Sequence, residues 1–264
     1  MEVGSRSPLV EAFRRADAPR ELRMDAAAGK VAPRAQEQLA LFVLLVADPD
    51  TEVRATAERT LAAIPSAAIA DLLARTDTPA DVIRFFSARG IEPAAGVPDG
   101  DSDAPLIDTS DDLTLLPLPD AADGVVPSQS ITQQIQNMGI VERVRVAMKG
   151  SREARTMLIR DPNRMVASAV LSSPKLTMAE VESFAKMANV SEDVLRSIAQ
   201  NRAWIKHYGV AHGLVKNPKT PVALSLTLMQ RLVDRDVRAL AIDRNVPEPL
   251  RIAARKRVVK AAGA

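Results

Sequence analysis

The chain has 264 residues, 47% of them hydrophobic but only 3% aromatic, with no cysteine and a formal net charge of +2. That length accommodates one large or two modest domains, and the missing cysteines exclude disulfides, Cys-ligated zinc, Fe–S clusters and thiol catalysis. The small net charge conceals a split: residues 1–130 hold 12 Lys/Arg against 22 Asp/Glu, whereas residues 131–264 hold 23 against 11.

A core with so few rings must be Ala, Leu, Val, Ile and Met, which suits closely packed helices. Alternating β-branched runs between Asn-Gly or Asp-Gly turns are lacking. The opening stretch MEVGSRSPLVEAFRR has no apolar signal region. The longest apolar run, Leu39 to Ala47, is far short of a membrane span. The expectation is a soluble, cytoplasmic, all-α protein.

In chain order, Ser7-Pro8 reads as a helix start with proline at the first position, running to about Arg15. Helices follow from Pro19 to about Ala28, closed by Gly29, and from Pro33 to Ala47, with a wide apolar face from Leu39 to Leu45. Asp50 to Ile64 is stopped by Pro65, and Ser66 to Arg75 is short. The Thr78-Pro79-Ala80-Asp81 start leads a helix that presents Val82, Ile83, Phe85 and Phe86 and ends at Gly90. Residues 1–90 therefore read as an N-terminal helical domain.

Residues 91–130 are rich in Pro, Gly, Asp and Ser, lack periodicity, and read as a flexible, disordered acidic linker. Residues 97–130 alone contain eight Asp and no Lys or Arg. An apolar island within them, Leu113, Leu115, Leu116 and Leu118, is either a set of tolerated linker residues or a short docking motif. Helices resume at 131–138, 140–149, 152–160, 163–171, 178–188, 191–200, 203–215, 221–233, 235–243 and 247–261, making 131–264 a basic C-terminal domain. Thr177 to Glu180 fits a capping box, and Thr220-Pro221 a cap with proline at the first helical position.

This C-terminal part repeats itself. The segment opening at Val166 and closing on Ser172-Ser173-Pro174-Lys175 returns 44 residues later from Val210 to Asn217-Pro218-Lys219. A second cassette, Val194 to Asn201, returns 43 residues later at Val237 to Asn245. Periods of about 40–47 residues with two or three helices each suit stacked helical arrays, whose short helices bury their apolar stripes only against neighbours. The stretch Asp48-Pro49-Asp50-Thr51-Glu52-Val53-Arg54 resembles the second helix of a HEAT repeat, and Asp234 to Ala241 is similar. The resemblance to HEAT/armadillo-type proteins covers most of residues 33–89 and 140–260. The chain is also similar to uncharacterised bacterial helical-repeat proteins. Both resemblances imply an α-solenoid in two helical segments and no particular activity.

No catalytic, cofactor or metal residues are assigned, and no enzyme is expected. Gly-x-Ser-x-Gly, phosphate-loop, dinucleotide-binding and His-Glu-x-x-His patterns are lacking. His207 and His212 would lie about 140° apart on one helix, so they cannot chelate as an i, i+4 pair does. Trp204 and Tyr208 are the sole Trp and Tyr, read as an i, i+4 pair on one helix with Arg202 and Lys206 beside them. Their rings either cover the core at a helix junction or form an aromatic-plus-cation recognition patch. Arg251 and Arg255, neighbours on the last helix, are either terminal cations at a helix C-terminus or part of a binding stripe. The functional expectation is a scaffold or adaptor that binds an unidentified protein or peptide. The alternative is weak, sequence-nonspecific nucleic-acid binding by the basic domain.

Overall fold

The computed structural model describes residues 7–15, 18–32, 34–95, 105–107 and 131–262. Among them are seventeen helices and no strand. The first six are α1 (Pro8–Arg14), α2 (Arg20–Ala27), α3 (Ala35–Leu45), α4 (Thr51–Ala63), α5 (Ser66–Leu73) and α6 (Ala80–Ser87). Then come α7 (Ile131–Asn137), α8 (Ile140–Lys149), α9 (Arg152–Leu158), α10 (Arg164–Leu171), α11 (Met178–Lys186) and α12 (Glu192–Gln200). The last five are α13 (Arg202–Ile205), α14 (Tyr208–Lys216), α15 (Val222–Met229), α16 (Asp234–Leu240) and α17 (Glu248–Ala262). No described helix is long and apolar enough to cross a membrane. The predicted docking island Leu113, Leu115, Leu116 and Leu118 lies outside the described residues.

The chain forms two compact units. One comprises Met1–Arg155 with Ser168–Lys175, the other Thr156–Ala167 with Leu176–Ala264. The helices α7 and α8 thus group with the first six, although the sequence assigns them to the C-terminal segment.

In the first unit α3 is central and packs against α1, α2, α4 and α6. Leu39 and Phe42 of α3 meet Leu61, Ile69, Leu73, Val82 and Phe86 in one core. Every polar part of the Asp48–Arg54 stretch has a task. The buried Asp48 carboxylate holds Arg23 of α2 at 2.8 Å and accepts from the Asp50 amide at 2.9 Å. Asp50 caps α4 by accepting from the amides of Glu52 and Val53. Arg54 folds back onto the Asp48 and Pro49 carbonyls, while Val53 is fully buried. The similar stretch at 234–241 shares only the buried valine, Val237. Its N-cap is Val233, which offers no side-chain bond.

The expectation of a structureless linker over 91–130 is corrected at two places. The chain leaves α6 through Gly90, whose φ of 79° closes the helix as its sequence predicts. The Ala94 amide then bonds to the Ala70 carbonyl at 3.0 Å. Further on, Leu106 and Ile107 sit against the α3 core and are tied to the buried side chain of Gln38. Composition hid this, because two apolar residues among aspartates carry no periodicity.

In the second unit α14 is central and packs against α11, α12, α13 and α15, while α17 packs against α15 and α16. Glycines allow the closest approach. A Cβ at Gly209 would meet the Glu182 carboxylate, and one at Gly213 would lie 3.1 Å from Lys186 Cγ and 3.3 Å from Ala185 Cβ. The capping box at Thr177–Glu180 forms, with the Thr177 amide donating to Glu180 Oε2 at 3.0 Å. Thr220 does not cap α15 as its sequence suggests. Pro221 occupies the N-cap, and the buried Thr220 hydroxyl has no hydrogen-bond partner.

The sequence cassettes correspond to physical devices. Their opening valines, Val166, Val194, Val210 and Val237, are all buried. Seven residues after Val166, the buried Ser173 hydroxyl donates to the Met148 carbonyl at 2.7 Å. Seven residues after Val210, the buried Asn217 amide donates to the carbonyls of Ala185 and Met187, both at 2.9 Å. Both side chains satisfy carbonyls at the end of an earlier helix, groups that helix geometry leaves without intrahelical partners.

Candidate interaction surface

The predicted aromatic pair stands at a break between two helices rather than on one. Asn201 ends α12 and begins α13, its side chain accepting from the amides of Ala203 and Trp204 at 3.0 and 3.2 Å. The helix stops at Ile205 because His207 adopts an extended backbone, φ −75° and ψ 120°, and α14 starts afresh at Tyr208. Trp204 and Tyr208 therefore do not form an i, i+4 pair. Arg202 and Lys206 are exposed at the two ends of α13, and Trp204 is half-buried.

Tyr208 is 42% exposed. Its hydroxyl donates to the Asp236 carboxylate on α16 and accepts from the Val233 amide at 3.3 Å. Its ring stacks on His212, one helical turn along α14, with centroids 6.1 Å apart and planes 15° apart. The His212 Nε2 lies 3.9 Å from Asp236 Oδ2. Val233, 51% exposed, continues the apolar patch. Exposed Arg235 approaches the other Asp236 oxygen at 3.3 Å.

The electrostatics of the cluster are set by these contacts. The Tyr208 hydroxyl, ahead of Arg235, holds the Asp236 carboxyl below its usual range despite some desolvation. Burial first, then the bond to Asp236, pushes the Tyr208 phenol up. Burial pushes the His212 imidazole down, and the nearby Lys216 and Lys186 add to this against the pull of Asp236. At neutral pH the trio is thus a neutral phenol, a carboxylate and a neutral imidazole. Tyr208 thus meets its surroundings as a neutral phenol. It remains a good recognition group, with an aromatic face and a polar tip.

Of the predicted cations on the last helix, Arg255 donates through Nε to the Ala241 carbonyl at the end of α16, at 3.0 Å. Arg257, two residues on, holds the carbonyls of Met229, the last residue of α15, and of Leu232 beyond it, at 2.6 and 2.8 Å. Both satisfy helix C-termini, where cations and donors are favoured. Arg251 is half-buried, and its Nε has no hydrogen-bond partner. No hydrogen bond or ion pair among the described residues joins Arg251 or Arg255 to Trp204 or Tyr208.

Sequence reasoning missed His212, Val233 and Asp236 as members of the patch. The Tyr208–His212 spacing was legible as a shared helical face, whereas Asp236, 28 residues from Tyr208, reaches it only through helix packing. Elsewhere, an open cleft of about 450 Å³ in the first unit is lined by Glu21, Asp25, Glu142 and Arg145. Its polar groups largely engage one another: Arg145 pairs with Asp25, and Glu142 accepts from the Gly139 amide. No cluster of three or more His, Cys, Asp or Glu able to hold a metal occurs among the described residues. No protein-family model, curated protein or solved structure matches the chain.

Proposed function

We propose that the chain is a non-enzymatic, cytoplasmic helical-repeat scaffold of the HEAT/armadillo type that binds a protein or peptide partner. The observation that carries this reading is the matched pair Ser173 and Asn217. They stand at the same register of two cassettes 44 residues apart, and each closes an earlier helix end. Such devices recur when one supersecondary unit is used repeatedly, and stacked helices present rigid surfaces at little entropic cost on binding. The contact surface is the patch of Arg202, Trp204, Lys206 and Tyr208 with Val233, rich in the residue types that dominate binding energy.

Affinity purification with the full chain tests this against a Trp204→Ala/Tyr208→Ala variant. A protein partner retained by the wild type and lost from the variant supports the reading. Recovery of nucleic acid alone overturns it.

One observation favours a second reading, weak nucleic-acid binding. Thr156–Ala167 and Leu176–Ala264 hold 17 Lys/Arg against 9 Asp/Glu, with Arg231, Arg238, Arg244, Lys256 and Lys260 exposed. Duplex DNA binding that falls steeply with salt supports it, and no binding at low salt removes it.

A further inference from the structure

Gln38 is 2% exposed on α3, an unusual place for a side-chain amide unless every polar atom is used. Its oxygen accepts from the backbone amides of Leu106 and Ile107, at 2.7 and 3.2 Å. Its nitrogen donates to the Ile107 carbonyl at 3.1 Å, and to those of Ala32 at 3.1 Å and Gly29 at 3.2 Å. The amide therefore meets both the N–H and the C=O of Ile107, and its oxygen gathers two successive N–H groups that an extended strand would point to opposite sides, because the chain bends at Leu106 and Ile107. No bond goes to a side chain of the captured segment, so Gln38 reads backbone. Selectivity comes from the pocket walls, where Leu106 and Ile107 lie on the α3 core and Ile107 crosses Gly29. Gly29 has a φ of +79°, and a Cβ there would stand 3.2 Å from three Ile107 atoms. A glycine both adopts that conformation and leaves room for the ligand-like side chain.

Main-chain bonds for affinity and apolar pockets for selectivity are the features of peptide-recognition grooves. We propose that this groove is a docking site for a peptide of a partner protein carrying a Pro-Leu-Ile-like step that bends as the resident one does. The chain's own Pro105-Leu106-Ile107 is its resident competitor. The partner segment needs two adjacent branched aliphatic residues at a bend, as Leu106 and Ile107 are here. The preceding proline has no N–H to leave unpaired at the groove edge. The inference rests on the scaffold reading and gives it a second, chemically defined site in the acidic unit.

The probe is a fluorescent synthetic peptide with the sequence of residues 101–110, DSDAPLIDTS. The full chain is used as wild type and with Leu106→Asp/Ile107→Asp, which vacates the groove. A tethered competitor has an effective concentration on the order of millimolar, so the vacated chain should bind the peptide about tenfold or more tightly than the wild type. Adding Gln38→Leu to the vacated chain should abolish saturable binding. Equal binding by wild-type and vacated chains overturns the proposal, as does no binding by a vacated chain that keeps its helical circular dichroism and cooperative unfolding. If the vacated chain does not fold, the wild type decides. Excess peptide should speed amide exchange at Leu106 and Ile107, and unchanged exchange at saturating peptide overturns the proposal. Dimerisation by exchange of the segment between wild-type and vacated chains would assign the groove to a second copy, and would also overturn it. Failure here leaves the Trp204–Tyr208 surface standing, and loss of partner capture at that surface leaves the groove standing.

Discussion

Gln38 in the acidic unit and Asn217 in the basic unit are both nearly free of solvent, at 2% and 3% exposed, and both bind backbone carbonyls. Both hold carbonyls at or just past an earlier helix end, but Gln38 has partners of a second kind. Asn217 closes the end of α11, whose position is fixed by its own buried face, including the fully buried Phe184 and Ala185. Gln38 holds the Gly29 and Ala32 carbonyls just past α2 and, in addition, a segment with no secondary structure, 68 and 69 residues further along the chain. A helix end cannot leave when its partner is lost, whereas an irregular segment can undock and hydrate. The same chemistry thus serves as a fixed closure in both units and, in the first, also latches an irregular segment.

The largest expected effect concerns neither amide. Phe42 and Phe86 are fully buried in the core of the first unit, and Phe86→Ala should cost about 3–5 kcal/mol in chemical unfolding. A loss under 1 kcal/mol would mean the core is not where it is placed here, and the groove built on it would lose its floor.

The comparison itself predicts that Asn217→Ala and Gln38→Leu cost alike in global stability and differ in what they release. Removing Asn217 strands two carbonyls that cannot move to water, which costs about 2 kcal/mol. Removing Gln38 likewise strands the buried Gly29 and Ala32 carbonyls, again costing about 2 kcal/mol, while Leu106 and Ile107 can hydrate. Their exchange protection should therefore vanish. Retained protection at Leu106 and Ile107 in Gln38→Leu would break the distinction between closure and latch. A smaller test is Gly29→Ala, where the left-handed backbone costs about 1 kcal/mol and the new Cβ presses on Ile107. Release of the segment, read as faster exchange at Ile107, is expected together with that loss.

The smallest effect lies in the basic unit and depends on pH. Folding holds the His212 imidazole below its ordinary 6.5, chiefly through burial, so the unfolded chain takes up the proton first. Stability is therefore full above about pH 6.5 and declines as the pH falls below it. His212→Asn should flatten that decline in melting temperature between pH 7 and 5, and an unchanged slope would remove His212 as its source.

What was legible in the sequence followed from local physics. Helix starts and stops at Asp50, Thr177, Gly29 and Gly90 were readable because capping and positive φ are decided within a few residues. The burial of Val166 and Val210 was readable because each lies near the start of a helix with an apolar face. The break at His207 was not, since apolar spacing runs on across it and the extended residue is a matter of how α13 and α14 pack. Nor was the Gln38 latch, which joins positions separated by almost 70 residues through backbone atoms that every residue possesses. Asp236 was missed at the Tyr208 patch for the same reason. A lone carboxylate on a helix reads as a solvated face until the neighbouring helix is in place.

The latch is tested most directly by amide hydrogen exchange at Leu106 and Ile107 in the unmodified chain. Bonding to a buried amide should slow both by about 100-fold or more relative to the free peptide. Exchange of both at the free-peptide rate would contradict the account.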